Sequence, residues 1–148
     1  MRLFLDTNVL LDYVLRREPF ASPARSVYTM GWFGDAELWA SAKSFTDIFY
    51  FAERAVGSKR AQELMARLAG GLSLCSVDGD DIARALAERW DDFEDCLVYQ
   101  AARKVKADYI VTRDKSGFER SKIEALSPAE LVVRVERELS ISYAEIDL

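Results

Sequence analysis

Short apolar runs that alternate with longer helical patterns constrain this chain most. The runs cover residues 2–5, 37–40, 72–76, 109–112 and 122–126, each bounded by polar residues or glycine. Runs this short read as strands buried in a parallel sheet. Between them the apolar residues recur at helical spacing. Val9, Leu10, Tyr13 and Val14 share one face, and Pro23 lies near the start of a second helix over 20–33. Ile48, Phe49, Phe51 and Ala52 mark a helix over 45–56, and Leu64, Met65 and Leu68 one over 59–69. Ile82, Ala85, Leu86 and Trp90 mark one over 80–90, and Phe93, Leu97, Ala101 and Val105 one over 93–106. Ser127-Pro128-Ala129-Glu130 is the strongest helix start, with Ser as N-cap, Pro first in the helix and Glu third.

This order predicts an α/β fold, a three-layer sandwich around a mostly parallel central sheet of about five strands. The 148 residues suit one domain with its own core, ending in a tail over about 141–148. No run is long enough for a membrane span. The early charges of Arg2 and Asp6 do not suit a signal peptide, so the expected location is cytoplasmic. Cys75 and Cys96 fit reduced, buried thiols and form no zinc motif.

Two features of composition exclude mechanisms. There is no histidine. That removes Ser-His-Asp and Cys-His catalysis and His-bound zinc. The net charge is −5, with 20 basic and 25 acidic residues. This argues against a general nucleic-acid-coating protein. It leaves room for an enzyme whose carboxylates hold cations that in turn hold a phosphodiester. No P-loop pattern is present.

In open α/β sheets the ligand lies beyond the carboxyl ends of the strands, and carboxylates recur there. Asp6 follows the first strand, and Asp47 opens the helix after the second. Asp95 stands in Asp91-Asp92-Phe93-Glu94-Asp95, and Asp114 follows the fourth strand. Each also has a local structural reading. Asp6 and Asp92 suit helix caps, Ser44 with Asp47 has capping-box spacing, and Asp114 suits a turn. Gathered at one sheet edge, four carboxylates repel and raise one another's pKa values. A hard divalent cation such as Mg²⁺ or Mn²⁺ relieves that repulsion. Such a cation lowers the pKa of a water it holds and stabilises charge on a reacting phosphate, so phosphodiester hydrolysis needs no histidine.

With these motifs in order, the chain resembles a PIN domain, the small α/β nuclease fold. The resemblance runs from Leu3 to about Leu131. It rests on Leu3-Phe4-Leu5-Asp6-Thr7-Asn8, Ser41-Ala42-Lys43-Ser44-Phe45-Thr46-Asp47, Asp92-Phe93-Glu94-Asp95 and Tyr109-Ile110-Val111-Thr112-Arg113-Asp114. The resemblance implies a metal-dependent endoribonuclease whose four acids are Asp6, Asp47, Asp95 and Asp114. The roles expected are Asp6, Asp95 and Asp114 as ligands of Mg²⁺ or Mn²⁺, and Asp47 as the acid that positions a water on the metal. Asn8 and Thr112 match polar positions that support the pocket. Similar bacterial proteins are toxins of toxin–antitoxin pairs, which implies RNA, a small antitoxin protein and a second copy of the chain as partners.

Two departures stand out: Asp47 occupies a position that is Glu in many members, and the third motif offers several acids in a row. Among the basic residues Arg16, Arg17, Lys43, Arg113, Lys115 and Arg120, Lys43 and Arg113 adjoin the acids and rank first for holding RNA. Phe20, Trp32 and Phe118 are candidate stacking platforms, with core packing favoured for Trp32. A catalytically weak PIN-fold RNA-binding or regulatory module is the alternative. Aspartyl phosphoryl transfer at Asp6 is a poorer fit, because Asn8 stands where such enzymes carry a second acid.

Overall fold

Leu3 and Leu5 of the first strand pack into one apolar cluster and Phe4 into another, so this strand is buried from both faces. The structure, a computed structural model, describes residues 1–143. Its elements are β1 (Arg2–Leu5), α1 (Thr7–Leu15), α2 (Ala21–Phe33), β2 (Glu37–Ser41), α3 (Ser44–Val56) and α4 (Ser58–Gly70). They continue as β3 (Ser73–Cys75), α5 (Gly79–Glu88), α6 (Phe93–Lys104), β4 (Tyr109–Val111), β5 (Glu124–Leu126) and α7 (Pro128–Leu139). A short 3-10 helix, Lys115–Phe118, follows β4.

The five strands form one sheet in the order β3-β2-β1-β4-β5, and every pairing is parallel. One face carries α1, α2, α3, α4 and α7 through Val9, Val27, Met30, Ile48, Leu68 and Leu131. The other carries α5 and α6 through Ala85, Cys96, Leu97 and Ala101. Burying each Leu or Ile in these layers stabilises the fold by about 2 kcal/mol before entropy is counted. Both cysteines are free thiols in the second cluster. Among the described residues no helix is long and apolar enough to cross a membrane.

The expected elements form, with shifted ends. The helices expected to reach 90 and 106 stop earlier because Arg89 (φ 51°) and Lys106 (φ 55°) turn left-handed. Leaving α5 lets Trp90 fold back onto Tyr99, with ring centroids 5.1 Å apart. Ser127 and Glu130 form the expected capping box. Ser44 and Asp47 do not, since Lys43, the residue before α3, is already in helical conformation and no side chain caps the helix. Part of the expected tail lies outside the described residues. Within it, Tyr143 is 2% exposed and donates its hydroxyl to Asp35 Oδ2 at 2.6 Å.

The connection from β1 leads to β2 on one side, while β4 pairs on the other. The strand order therefore switches between β1 and β4. A crevice at their carboxyl ends is the expected place for a ligand.

Candidate active site

Asp6 is the first residue beyond β1, and its N–H donates to Val111 O of β4 at 2.9 Å. Its carboxylate caps α1 by accepting from the Thr7 N–H at 2.8 Å. The same carboxylate accepts from the Thr112 hydroxyl at 2.9 Å and more distantly from the Asn8 amide at 3.4 Å. Capping the helix therefore does not use up the Asp6 carboxylate. One oxygen closes the helix and the other is held toward the crevice by neutral donors.

Asn8 and Thr112 tie the two strand ends together. Asn8 donates to the Thr112 hydroxyl at 3.3 Å and accepts from the Arg113 N–H at 3.3 Å. The Asp114 N–H donates to the Thr112 hydroxyl at 3.1 Å. Asp114 also accepts from the Ser116 hydroxyl at 2.6 Å, which holds the turn into the 3-10 helix.

The third acid comes from α6. Asp92 caps this helix by accepting from the Asp95 N–H at 3.0 Å, which leaves the Asp95 side chain for the crevice. Asp92 is thus engaged as the helix cap, and Asp95 is the acid of this cluster that lines the cleft with Asp6. Gly117 lies against Asp95, and a Cβ built at position 117 would overlap Asp95 Oδ2. The 3-10 segment thus closes over Asp95 only because residue 117 has no side chain.

Asp6, Asp95, Lys43 and Glu94 line a cleft of about 250 Å³, together with Asn8 and Ser44. Its electrostatics are strained. Burial raises the Asp6 carboxyl above its ordinary range, the Thr112 and Thr7 hydrogen bonds lower it, and the charges of Asp114 and Asp92 raise it again. Asp95 is pushed up to about 7, first by burial and then by Asp6, Asp92, Asp114 and Glu94. Three of the four predicted acids therefore share one field.

Asp47 stands apart from this group. It is bound by Lys43, whose ammonium lies 3.0 Å from Asp47 Oδ2 and 3.1 Å from Glu94 Oε1. Arg113 is engaged too. Its guanidinium grips Asp12 through Nε at 2.6 Å and Nη2 at 3.2 Å, and stacks 4.1 Å above the Phe20 ring. Lys115 pairs with Glu130, and Arg120 donates to the Glu88 and Arg89 carbonyls. The basic residues near the acids thus work first inside the protein. Trp32, favoured for the core, is 72% exposed, whereas Phe118 is buried on Trp90. Phe20 is half-exposed, with Arg113 over its ring.

Sequence reasoning passed over Asp12, Glu94 as a partner of Lys43, and Gly117. Asp12 had a readable signal, because it interrupts the apolar run Val9-Leu10-Leu11 and Tyr13-Val14. A carboxylate on a core face needs a cation. Glu94 and Gly117 depend on contacts between distant segments and leave no such mark.

Among the described residues no three acidic side chains already form a metal-holding cluster. The donor set nevertheless suits a hard divalent ion. Asp6 is buried without a cationic partner among the described residues, and Asp95 sits in an uncompensated negative field. Mg²⁺ commonly takes only one or two carboxylates and fills its shell with water and phosphate oxygens.

The chain matches the sequence profile described as "PIN domain" over residues 2–116. Its fold is similar to that of DNA-bound VapBC from Salmonella typhimurium, with TM-score 0.66, 16% identity, and 86% of this chain and 98% of that one covered. VapBC2 from Rickettsia felis, bound to a promoter DNA fragment, gives TM-score 0.65 at 12% identity over the same shares. The Mycobacterium tuberculosis toxin VapC20, described as cleaving the Sarcin-Ricin loop, gives 0.61 at 17% identity, covering 78% of this chain and 92% of that one. At these identities the likeness establishes the fold. No curated protein sequence matches the chain.

Proposed function

Since the chain belongs to the PIN domain family, we propose that it is a Mg²⁺- or Mn²⁺-dependent endoribonuclease that hydrolyses RNA phosphodiester bonds, and the toxin of a toxin–antitoxin pair. The observation that carries this reading is that Asp6 and Asp95 line one cleft at the switch between β1 and β4, with Asp114 tied to Asp6 through the Thr112 hydroxyl. Asp6, Asp95 and Asp114 would hold the ion. A bound divalent ion supplies an activated water and stabilises charge on the phosphate under attack.

The chain's own groups do the rest. Thr112 and Asn8 fix the rotamer of Asp6 through neutral hydrogen bonds that leave its charge intact. Asp92 takes the cap, so Asp95 is spent on the site rather than on the helix. Asp95, pushed up to about 7, must lose its proton before the carboxylate can bind a cation. Arg113, locked on Asp12, anchors the segment that carries Asp114. Phe20 offers a face for an unpaired base.

The toxin role draws support from the similar fold of a toxin–antitoxin complex from Klebsiella pneumoniae and of the Mycobacterium tuberculosis toxin described as cleaving the Sarcin-Ricin loop. It brings a small antitoxin protein, a homodimer and a cytoplasmic setting into the reading. The test is cleavage of a pool of structured and single-stranded RNA with Mn²⁺, Mg²⁺ or EDTA, beside Asp6→Asn and Asp95→Asn proteins. Metal-dependent cleavage lost in both variants is expected. Cleavage that survives in them would refute the assigned site. RNA binding without cleavage would favour the regulatory module instead.

A further inference from the structure

The outer end of the acidic cleft already contains a cation. Lys43 projects from the start of α3 and reaches two carboxylates on different elements, Asp47 one helical turn along α3 and Glu94 in the first turn of α6. Its ammonium lies at hydrogen-bond distance from both, 3.0 Å and 3.1 Å. Lys43 and Glu94 line the same cleft as Asp6 and Asp95. Among the described residues no basic side chain pairs with Asp6 or Asp95 at the buried end of this cleft, whereas the exposed Glu94 at its outer end is bridged to Asp47 by Lys43.

We propose that the Lys43 ammonium stands in the place of a second divalent ion, so that the chain holds one such ion at its inner end and a fixed single charge at its outer end. The inference rests on the metal-dependent reading above and deepens it. In two-ion hydrolases a second cation shares the charge of the reacting phosphate with the first. Such an ion needs carboxylates of its own. Here the two carboxylates that could supply them, Asp47 and Glu94, are turned onto Lys43. A divalent ion entering between them would break both pairs and face the displaced ammonium at short range, where like charges repel strongly. One ion at Asp6 and Asp95 meets no such obstacle, because no Lys or Arg pairs with either among the described residues.

The arrangement gives residue 47 a different task from that expected of it. Asp47 is a positioning residue that acts through Lys43. Its short side chain suits a partner four residues earlier on the same helix, where acid and base meet across one turn. Glu94, one residue before Asp95, holds the same ammonium from the facing helix and so fixes its height over the cleft. The ammonium has three donors, two of which these carboxylates use, which leaves one for a phosphate oxygen.

The test counts ions rather than turnover. Mn²⁺ is titrated into the wild-type chain and into Lys43→Met and Lys43→Arg proteins, with bound ions followed by calorimetry and free Mn²⁺ by electron paramagnetic resonance. The expected counts are one ion for wild type, two for Lys43→Met and one for Lys43→Arg. Adding Asp47→Asn and Glu94→Gln to Lys43→Met is expected to return the count to one. Two ions on the wild type, an unchanged count in Lys43→Met, or a second ion that survives loss of both carboxylates would each overturn the proposal. No ion on any protein would overturn it together with the metal requirement. RNA cleavage measured on the same preparations separates the two ideas, since counts as expected without cleavage would refute the nuclease and leave the role of Lys43 standing.

Discussion

Replacing Asp95 by Asn should make the metal-free protein more stable above neutral pH while abolishing its activity. The amide keeps the shape of the carboxyl beside Gly117 and removes the charge that Asp6, Asp92, Asp114 and Glu94 oppose. The folded state raises Asp95 from 3.8 to about 7. A carboxyl raised in this way binds its proton more tightly folded than unfolded. Its contribution is fully present below the unfolded value near 4, fades as pH rises, and is gone once pH passes about 7. The shift sets a ceiling of about 4 kcal/mol. Asp95 is partly exposed and water screens its neighbours, so about 1–2 kcal/mol is the expected gain. For a chain of this size that corresponds to a rise in Tm of about 3–6 °C.

Thermal melts of both proteins in EDTA at pH 5 and pH 8.5 measure this directly. Near pH 5 the wild-type carboxyl is protonated in the fold, and most of the difference should vanish. At pH 8.5 the variant should melt higher by the full amount. A gap of the same size at both pH values would refute the reasoning, because the gain would then come from packing and not from charge. A less stable variant at pH 8.5 would show that Asp95 is already compensated.

Three further outcomes follow from the same geometry. Arg113→Met leaves the buried Asp12 carboxylate without its cation and should cost about 3 kcal/mol in urea denaturation at pH 7, whereas a loss below ~1 kcal/mol would mean that Asp12 is neutral there. Gly117→Ala places a methyl group against Asp95 Oδ2 and should cost about 1–3 kcal/mol by denaturation and weaken Mn²⁺ binding, and an unchanged Mn²⁺ titration would show that the segment yields freely. Mn²⁺ at 100 times its Kd should stabilise the protein by about 2.7 kcal/mol at pH 8. At pH 6 the same concentration should give a smaller rise in Tm, because Asp95 must first lose its proton.

The fold was legible because its signals are local. The apolar runs at 2–5 and 109–112 and the box at Ser127 and Glu130 each declare themselves within a few residues. The positions of Asp6, Asp47, Asp95 and Asp114 were legible for the same reason, since each stands where a strand ends or a helix starts. What each acid meets was not. Asp47 and Lys43 lie only four residues apart, yet their pairing gains its meaning from Glu94, 51 residues from Lys43. Arg113 adjoins Asp114 and seemed free for RNA, but its partner Asp12 lies 101 residues away. Helix ends failed where left-handed turns at Arg89 and Lys106 fell on residues that show no preference for them. Trp32 failed because its ring ends on the outer face of α2, a register that apolar content alone does not reveal.

The buried carboxylates themselves separate structure from site. Asp6, Asp12 and Asp81 are each below a tenth exposed among the described residues. Asp12 is matched by Arg113, and Asp81 by Lys104. Both pairs follow the rule that a charge taken from water needs an opposite charge beside it. Asp6 breaks the rule. It receives a hydroxyl, an amide and a backbone N–H, all neutral, and its charged surroundings include Asp95 and Asp114. Among the described residues, two of the three buried acids therefore have a cation beside them and the third has none. That third acid lies in the cleft at the switch between β1 and β4, where a ligand is expected on topology alone. Withholding the cation leaves a folding cost that a bound divalent ion would remove. On the proposed reading, that omission is what leaves the position open to a divalent ion.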